Sequence, residues 1–203
     1  MKNIKIPGDG FLVIDDLLHP SISDKIEDVI FEETRVGLGE CIEATCQDPP
    51  NHKNIYEQFQ LTHATVLNGE WSWSQDLLGI HSLPLLSAIS HLGLTIHDSE
   101  ISRLKINLQT KAYGDVTNRY NTPHVDIVDP NYIVVIYYVN DSDGDTFLFN
   151  EPDGTDINDL TIKAKISPKK GRIIIMNSDI LHTGCHPTKN MYRAVINYGY
   201  KPK

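Results

Sequence analysis

The two halves of this chain are patterned differently. Phe11-Leu12-Val13-Ile14 is a short apolar run that predicts an opening strand. Ile22, Ile26, Val29 and Ile30 then recur at helical spacing, and Ser21-Ile22-Ser23-Asp24, a serine three residues ahead of an acid, predicts a capping box at the helix start. A second helix is predicted from Ser82 to Gly93. Pro84 falls in its first turn, Leu86, Ile89 and Leu92 line one face, and Gly93 ends it. Residues 41–70 carry Pro49-Pro50, Asn51 and scattered aromatics, which predicts loop with one strand near residues 59–67.

From Ile101 onward the pattern becomes period two or solid β-branched runs. Strands are predicted over residues 103–109, 132–140, 146–149, 172–176 and 193–198. Asp129-Pro130-Asn131, Asp141-Ser142-Asp143-Gly144, Pro152-Asp153-Gly154 and Pro168-Lys169-Lys170-Gly171 supply the turns between them. Many short strands so punctuated predict a mainly β sandwich or barrel. The run from Tyr132 to Val139 is apolar on both faces, so it reads as a central strand whose outer face an early helix covers. No repeat or linker interrupts the chain. We read one domain over residues 1–203, with supporting elements in 1–100, a core at about 101–200, and a mouth loop at 110–122.

At 203 residues, 40% hydrophobic and 22% charged, the composition is that of an ordinary globule able to bury one core. The formal net charge of −9 disfavours a broad electrostatic grip on phosphates, which argues against nucleic acid as a partner. The N-terminal residues lack the apolar run of a secretory signal, and no stretch approaches a membrane span, so a cytoplasmic protein without a membrane partner is expected. Cys41, Cys46 and Cys185 are odd in number and read as reduced structural thiols. Cys41 and Cys46 have no matching second pair for a zinc site.

Against this background Pro123-His124-Val125-Asp126 stands out. In an extended strand, residues two apart share a face, so His124 and Asp126 can hold one ion together. The span from Asp126 to His182 leaves room for four strands before a second histidine returns. His186 is a rival, but it leaves too few residues for a turn and a fresh strand before Arg193. Two imidazoles and one carboxylate suit iron(II), because three donors on one side leave other positions open. Arg193 opens the last predicted strand among β-branched neighbours, where a charge is costly unless paired. A dicarboxylate fits the guanidinium fork, and the hydroxyl of Tyr138, otherwise a core residue, can share it.

Arg103, Lys105, Asn107 and Gln109 alternate with Leu104, Ile106 and Leu108. They read as a solvated face or, for Asn107 and Gln109, as cavity lining. Tyr113, Arg119 and Tyr120 precede His124 in a polar loop and are substrate-contact candidates, whereas Trp71 and Trp73 read as core or interface anchors. His19, His52, His63, His81, His91 and His97 show no ligand spacing.

On these elements the sequence resembles the 2-oxoglutarate and iron(II)-dependent dioxygenases, and within them the prolyl 4-hydroxylase group. Pro123-His124-Val125-Asp126 resembles the family's His-x-Asp element, and Ile136-Tyr137-Tyr138-Val139-Asn140 the strand after it. Gly144-Asp145-Thr146-Phe147-Leu148-Phe149 resembles the Gly-Gly-Glu-Thr-x-Phe turn, and Lys170-Gly171-Arg172-Ile173-Ile174-Ile175 the strand leading to His182-Thr183-Gly184. The likeness covers roughly residues 101–200, with its elements in family order. It departs mildly at Gly144-Asp145-Thr146.

The resemblance implies a double-stranded β-helix (jelly-roll) core with N-terminal helices packed on one sheet. It implies catalytic iron held by His124, Asp126 and His182, and 2-oxoglutarate bound through its far carboxylate by Arg193 and Tyr138, with Asn107 and Gln109 as further candidates. Molecular oxygen would be the oxidant and ascorbate a reductant. The implied reaction hydroxylates an unactivated C–H bond of a peptidyl proline or a small amino-acid-type substrate while 2-oxoglutarate is decarboxylated to succinate. Collagen-type members use lysine where Arg193 stands; hypoxia-type prolyl hydroxylases use arginine. A small residue in place of Asp126 would imply halogenation instead. Two other readings are a nucleic-acid dealkylase, which typically carries an arginine where Gly199 stands, and a non-catalytic β-sandwich binding protein.

Overall fold

Two antiparallel sheets pack face to face in a computed structural model that describes residues 5–33, 37–39, 60–67, 70–71, 78–95, 100–113 and 119–203. The larger sheet runs in the order β1 (Phe11–Ile14), β9 (Ile173–Asn177), β6 (Ile133–Tyr138), β11 (Tyr192–Tyr200), β5 (Ile101–Thr110), β3 (Gln60–Leu67) and β2 (Gly37–Gly39), with β4 (Glu70–Trp71) paired to β3. The smaller sheet is β10 (His182–Gly184), β7 (Thr146–Phe149) and β8 (Ile162–Ile166). An isolated bridge between His124 and His182 extends it by one backbone lane on the far side of β10. The fold is the expected double-stranded β-helix.

Alternation along the strands assigns the two faces of the larger sheet. Ile133, Val135 and Tyr137 of β6, Ile173 and Ile175 of β9, and Ala194, Ile196 and Tyr198 of β11 form one apolar cluster. Ile26 of α1 (Pro20–Asp28), Ile30 just after it, and Leu85, Ala88 and Ile89 of α3 (Leu83–His91), which follows the short α2 (Leu78–His81), join that cluster, so the helices cover this face. Val134, Ile136 and Tyr138 point the other way, with Ile174, Met176 and Val195, and meet Leu148 and Ile166 of the smaller sheet. All six residues of β6 are buried, because a helix layer lies on one side and a second sheet on the other.

The element ends differ from the sequence reading in places. α1 begins one residue before Ser21: Pro20 occupies the first helical position, and the ring of His19 accepts the Ser21 N–H. Proline's fixed φ and missing donor suit that position, so the Ser21–Asp24 capping box does not form the start. α3 has the predicted ends, with Ser82 as its N-cap and Gly93 at φ +69° just beyond Leu92, but its buried face is Leu85, Ala88 and Ile89 with Leu92 partly buried, and Leu86, expected on that face, is exposed. Strands β8 and β10 were not placed by the pattern. β8 alternates weakly and leaves Ile162 exposed, and β10 is only three residues long. Among the described residues no helix is long and apolar enough to cross a membrane. Cys41, Cys46, His52, His97 and Trp73 lie outside the described residues, and of Trp71 only the backbone in β4 is described.

Candidate metal and cosubstrate site

The site lies where the His124 lane meets β10. Two reciprocal main-chain hydrogen bonds, His124 N–H to the His182 carbonyl at 2.9 Å and His182 N–H to the His124 carbonyl at 3.0 Å, hold these residues opposite each other. Their ring centroids are 5.0 Å apart. Each imidazole is oriented from behind by a carbonyl two residues earlier: Nδ1 of His124 lies 3.1 Å from Thr122 O, and Nδ1 of His182 lies 2.9 Å from Ile180 O. A proton on Nδ1 satisfies both contacts and leaves each Nε2 lone pair aimed at the site.

Asp126 completes the cluster. It sits in a bend rather than a regular strand, so the shared strand face predicted for His124 and Asp126 is replaced by a bridge followed by a bend. The carboxylate still turns inward: Oδ1 is 3.8 Å from Nε2 of His124, and Oδ2 is 3.5 Å from Nε2 of His182. One donor atom from each of the three residues lies within 4.8 Å of the other two. The Asp126 side chain is only 1% exposed, yet neither oxygen receives a hydrogen bond. A buried carboxylate without donors is costly, and a bound cation relieves that cost. This donor set therefore fits a divalent ion.

Arg103 was missed by the sequence reading, which favoured a solvated polar face for β5. Its Nη2 is 3.3 Å from Asp126 Oδ1. Arg103, Asn107 and Gln109 are all buried, because β5 lies between β11 and β3 and the smaller sheet's side of it is closed. The alternation was visible in the sequence, but which face would be covered depends on neighbours it does not name. Burial pushes the Asp126 carboxyl up, but the Arg103 charge and the two imidazoles outweigh it and hold the group far below the usual carboxylate range. Burial, then the adjacent His182, lowers His124 from the ordinary histidine value. Both shifts favour the forms that donate to a metal.

Arg193 lies at the other end of the same sheet face and is 4% exposed. Its Nε donates to Gly144 O at 2.7 Å, Nη1 to Gln109 Oε1 at 2.8 Å and Nη2 to Thr146 Oγ1 at 2.7 Å. The Tyr138 hydroxyl donates to the same Thr146 oxygen at 2.5 Å, and its ring centroid is 5.6 Å from the guanidinium carbon. Gly144 and Gly184 make the room. A Cβ at 184 would lie 3.1 Å from three guanidinium atoms, and one at 144 would lie 2.8 Å from Arg193 Cδ and 2.5 Å from the Cys185 carbonyl. Between the two arginines, Asn107 and Asn197 are buried with their Oδ1 atoms unpartnered.

His186 stands apart from the cluster, its Nδ1 3.0 Å from Thr110 O. Of the loop candidates, Tyr113 and Arg119 are exposed, whereas Tyr120 is buried between Phe147 and Phe149 with centroids 5.3 Å from each. Tyr120 thus fills a small apolar cluster.

The profile of the 2OG-Fe(II) oxygenase superfamily matches residues 108–200. A prolyl hydroxylase from Trichoplax adhaerens, solved with a hypoxia inducible factor oxygen degradation domain peptide, is similar at a TM-score of 0.58 and 16% identity, covering 95% of this chain and 84% of that one. A prolyl-4-hydroxylase from Pseudomonas putida is similar at 0.54 and 12%, covering 95% and 92%. The alpha ketoglutarate dependent epimerase SnoN of nogalamycin biosynthesis is similar at 0.59 and 10%, covering 95% and 77%. No curated protein matches the chain by sequence. Over residues 108–200 the chain is similar to the 2OG-Fe(II) oxygenase superfamily, and the solved structures it resembles share its fold.

Proposed function

We propose that this protein is a 2-oxoglutarate- and iron(II)-dependent dioxygenase that hydroxylates an unactivated C–H bond of a peptidyl proline or a small amino-acid-type substrate. The observation that carries the reading is the convergence of His124, Asp126 and His182 on one point, with the buried Arg193 fork at the far end of the same sheet face. Iron(II) with 2-oxoglutarate supplies the oxidising power when bound, at the cost of decarboxylating the diacid to succinate. In this reading His124, Asp126 and His182 hold the ion from one side. Arg193 receives the distal carboxylate on the two Nη N–H groups its neighbours leave over, while Gly144, Gln109 and Thr146 hold the guanidinium plane through the other three. Tyr138 and Val195 form the pocket wall between, and exclude water from the diacid's methylenes.

A nucleic-acid dealkylase is disfavoured by the acidic chain and by Gly199. A side chain there would run into Ile127 and Ser102. The similar fold of an epimerase keeps epimerising chemistry as the second reading. The free Cys185 thiol fits a reducing cytoplasm.

The test is succinate formation from 2-oxoglutarate with iron(II), first without substrate and then against proline peptides, free amino acids and alkylated bases. His124→Ala and His182→Ala are expected to abolish turnover. Arg193→Ala should raise the 2-oxoglutarate KM roughly tenfold to a hundredfold, the worth of one charge-assisted hydrogen bond. His186→Ala should stay active. Full activity in His124→Ala or His182→Ala would remove that residue from the centre.

A further inference from the structure

We propose that Arg103 is a positioning residue for the metal centre, holding Oδ1 of Asp126 so that the carboxylate offers only Oδ2 to the ion. The inference rests on the metal reading of His124, Asp126 and His182. Arg103 Nη2 lies 3.3 Å from Oδ1, nearer than the 3.8 Å that separates Oδ1 from Nε2 of His124, while Oδ2 is turned to His182, 3.5 Å from its Nε2. Both side chains are almost wholly removed from solvent, at 10% and 1% exposure. Among the described residues no hydrogen bond is made to either carboxylate oxygen, so the guanidinium charge is what restrains the group there.

The backbone gives Arg103 this lane. It pairs across the sheet with Gly199 of β11, and a Cβ on Gly199 would lie 3.2 Å from the Arg103 Cβ and 2.8 Å from Ser102 Oγ. With no side chain on Gly199, the position opposite leaves room beside the Arg103 Cβ. A guanidinium suits the task because it stays charged at any working pH and is planar, so it fixes an orientation as well as supplying charge.

The consequence lies in the number of open positions. A carboxylate free to turn can chelate an ion through both oxygens. With two imidazoles, that fills four of six octahedral positions and leaves two. Held by one oxygen, the same three residues leave three, which a cosubstrate chelating through two atoms needs if one position is to stay free.

Manganese(II) is the probe, read by water-proton relaxation per bound ion in the otherwise unliganded protein. Wild type should bind one ion with the relaxivity of three inner waters. Arg103→Gln should still bind it, with relaxivity per ion lower by about one third as the second oxygen displaces a water. Arg103→Lys should return the value towards wild type. An unchanged relaxivity in a folded, fully loaded Arg103→Gln protein overturns the role of Arg103 alone. Failure of the wild type to bind the ion overturns the metal site itself. Should Arg103→Gln not fold, a wild-type crystal soaked in manganese(II) decides: ligation by Oδ2 alone with Oδ1 on Arg103 is expected, and chelation through both oxygens overturns the proposal.

Discussion

Single residues in this site are constrained mostly by what cannot be left unpaired. Arg193 was legible in the sequence because a charge amid Ala194, Val195 and Ile196 demands a partner, and its three neutral acceptors are that partner in the structure. Arg103 was not legible, since a polar residue alternating with Leu104 and Ile106 looks the same whether its face meets water or a second sheet. Tyr138 can be tested by removing one atom. Tyr138→Phe takes away the donor to Thr146 and should lower stability by about 0.5–1.5 kcal/mol, read from the urea midpoint. The same variant should change manganese(II) affinity little, because Tyr138 lies beside Arg193 and outside the His124, Asp126 and His182 cluster.

At the scale of elements, the turn before β7 and the end of β10 act together on one side chain. Gly144 and Gly184 lie on either side of Arg193, which gives a spatial reason for glycines at the two motif positions, Gly144-Asp145-Thr146 and His182-Thr183-Gly184. The two glycines should differ when replaced. Gly184→Ala meets the guanidinium first, the movable end of a side chain, so it should raise the 2-oxoglutarate KM several-fold while leaving metal affinity unchanged in a titration. Gly144→Ala meets the Cys185 carbonyl and the Pro187 nitrogen as well, which cannot step aside, and should lower the thermal midpoint markedly. The long strands were readable because their runs are buried on both faces. β8 and β10 were not, because they are short, and their pairing is decided by β7 rather than by their own composition.

For the whole molecule, two sheets and a helical layer bury groups that must stay neutral, and acid is the natural probe of that. His81 is fully buried at the start of the α3 layer with neither ring nitrogen partnered, and burial, then nearby His63, lowers it from 6.5 to about 4. The unfolded chain therefore binds more protons than the folded one between these values. The contribution is fully present above pH 6.5 and is lost as pH falls towards 4, by roughly 3 kcal/mol in total. Urea midpoints measured across that window should fall in wild type and stay flatter in His81→Phe. Asp15 and Asp143, each lowered to about 2, act only at more acid pH, whereas His124, lowered from the same starting value by burial, adds its slope to wild type and His81→Phe alike, so the difference between the two proteins reports His81. That helices cover one side of the sheet was predictable from the doubly apolar run of β6; that a histidine would be sealed beneath them was not, since its spacing matched no pattern. The reciprocal main-chain pairing of His124 with His182 carries one more implication. Because backbone rather than metal sets the distance between the two rings, the socket is built before it is filled. Emptying it with a chelator should leave both amides as slow to exchange with deuterium as before, and reloading should be quick, with no refolding step.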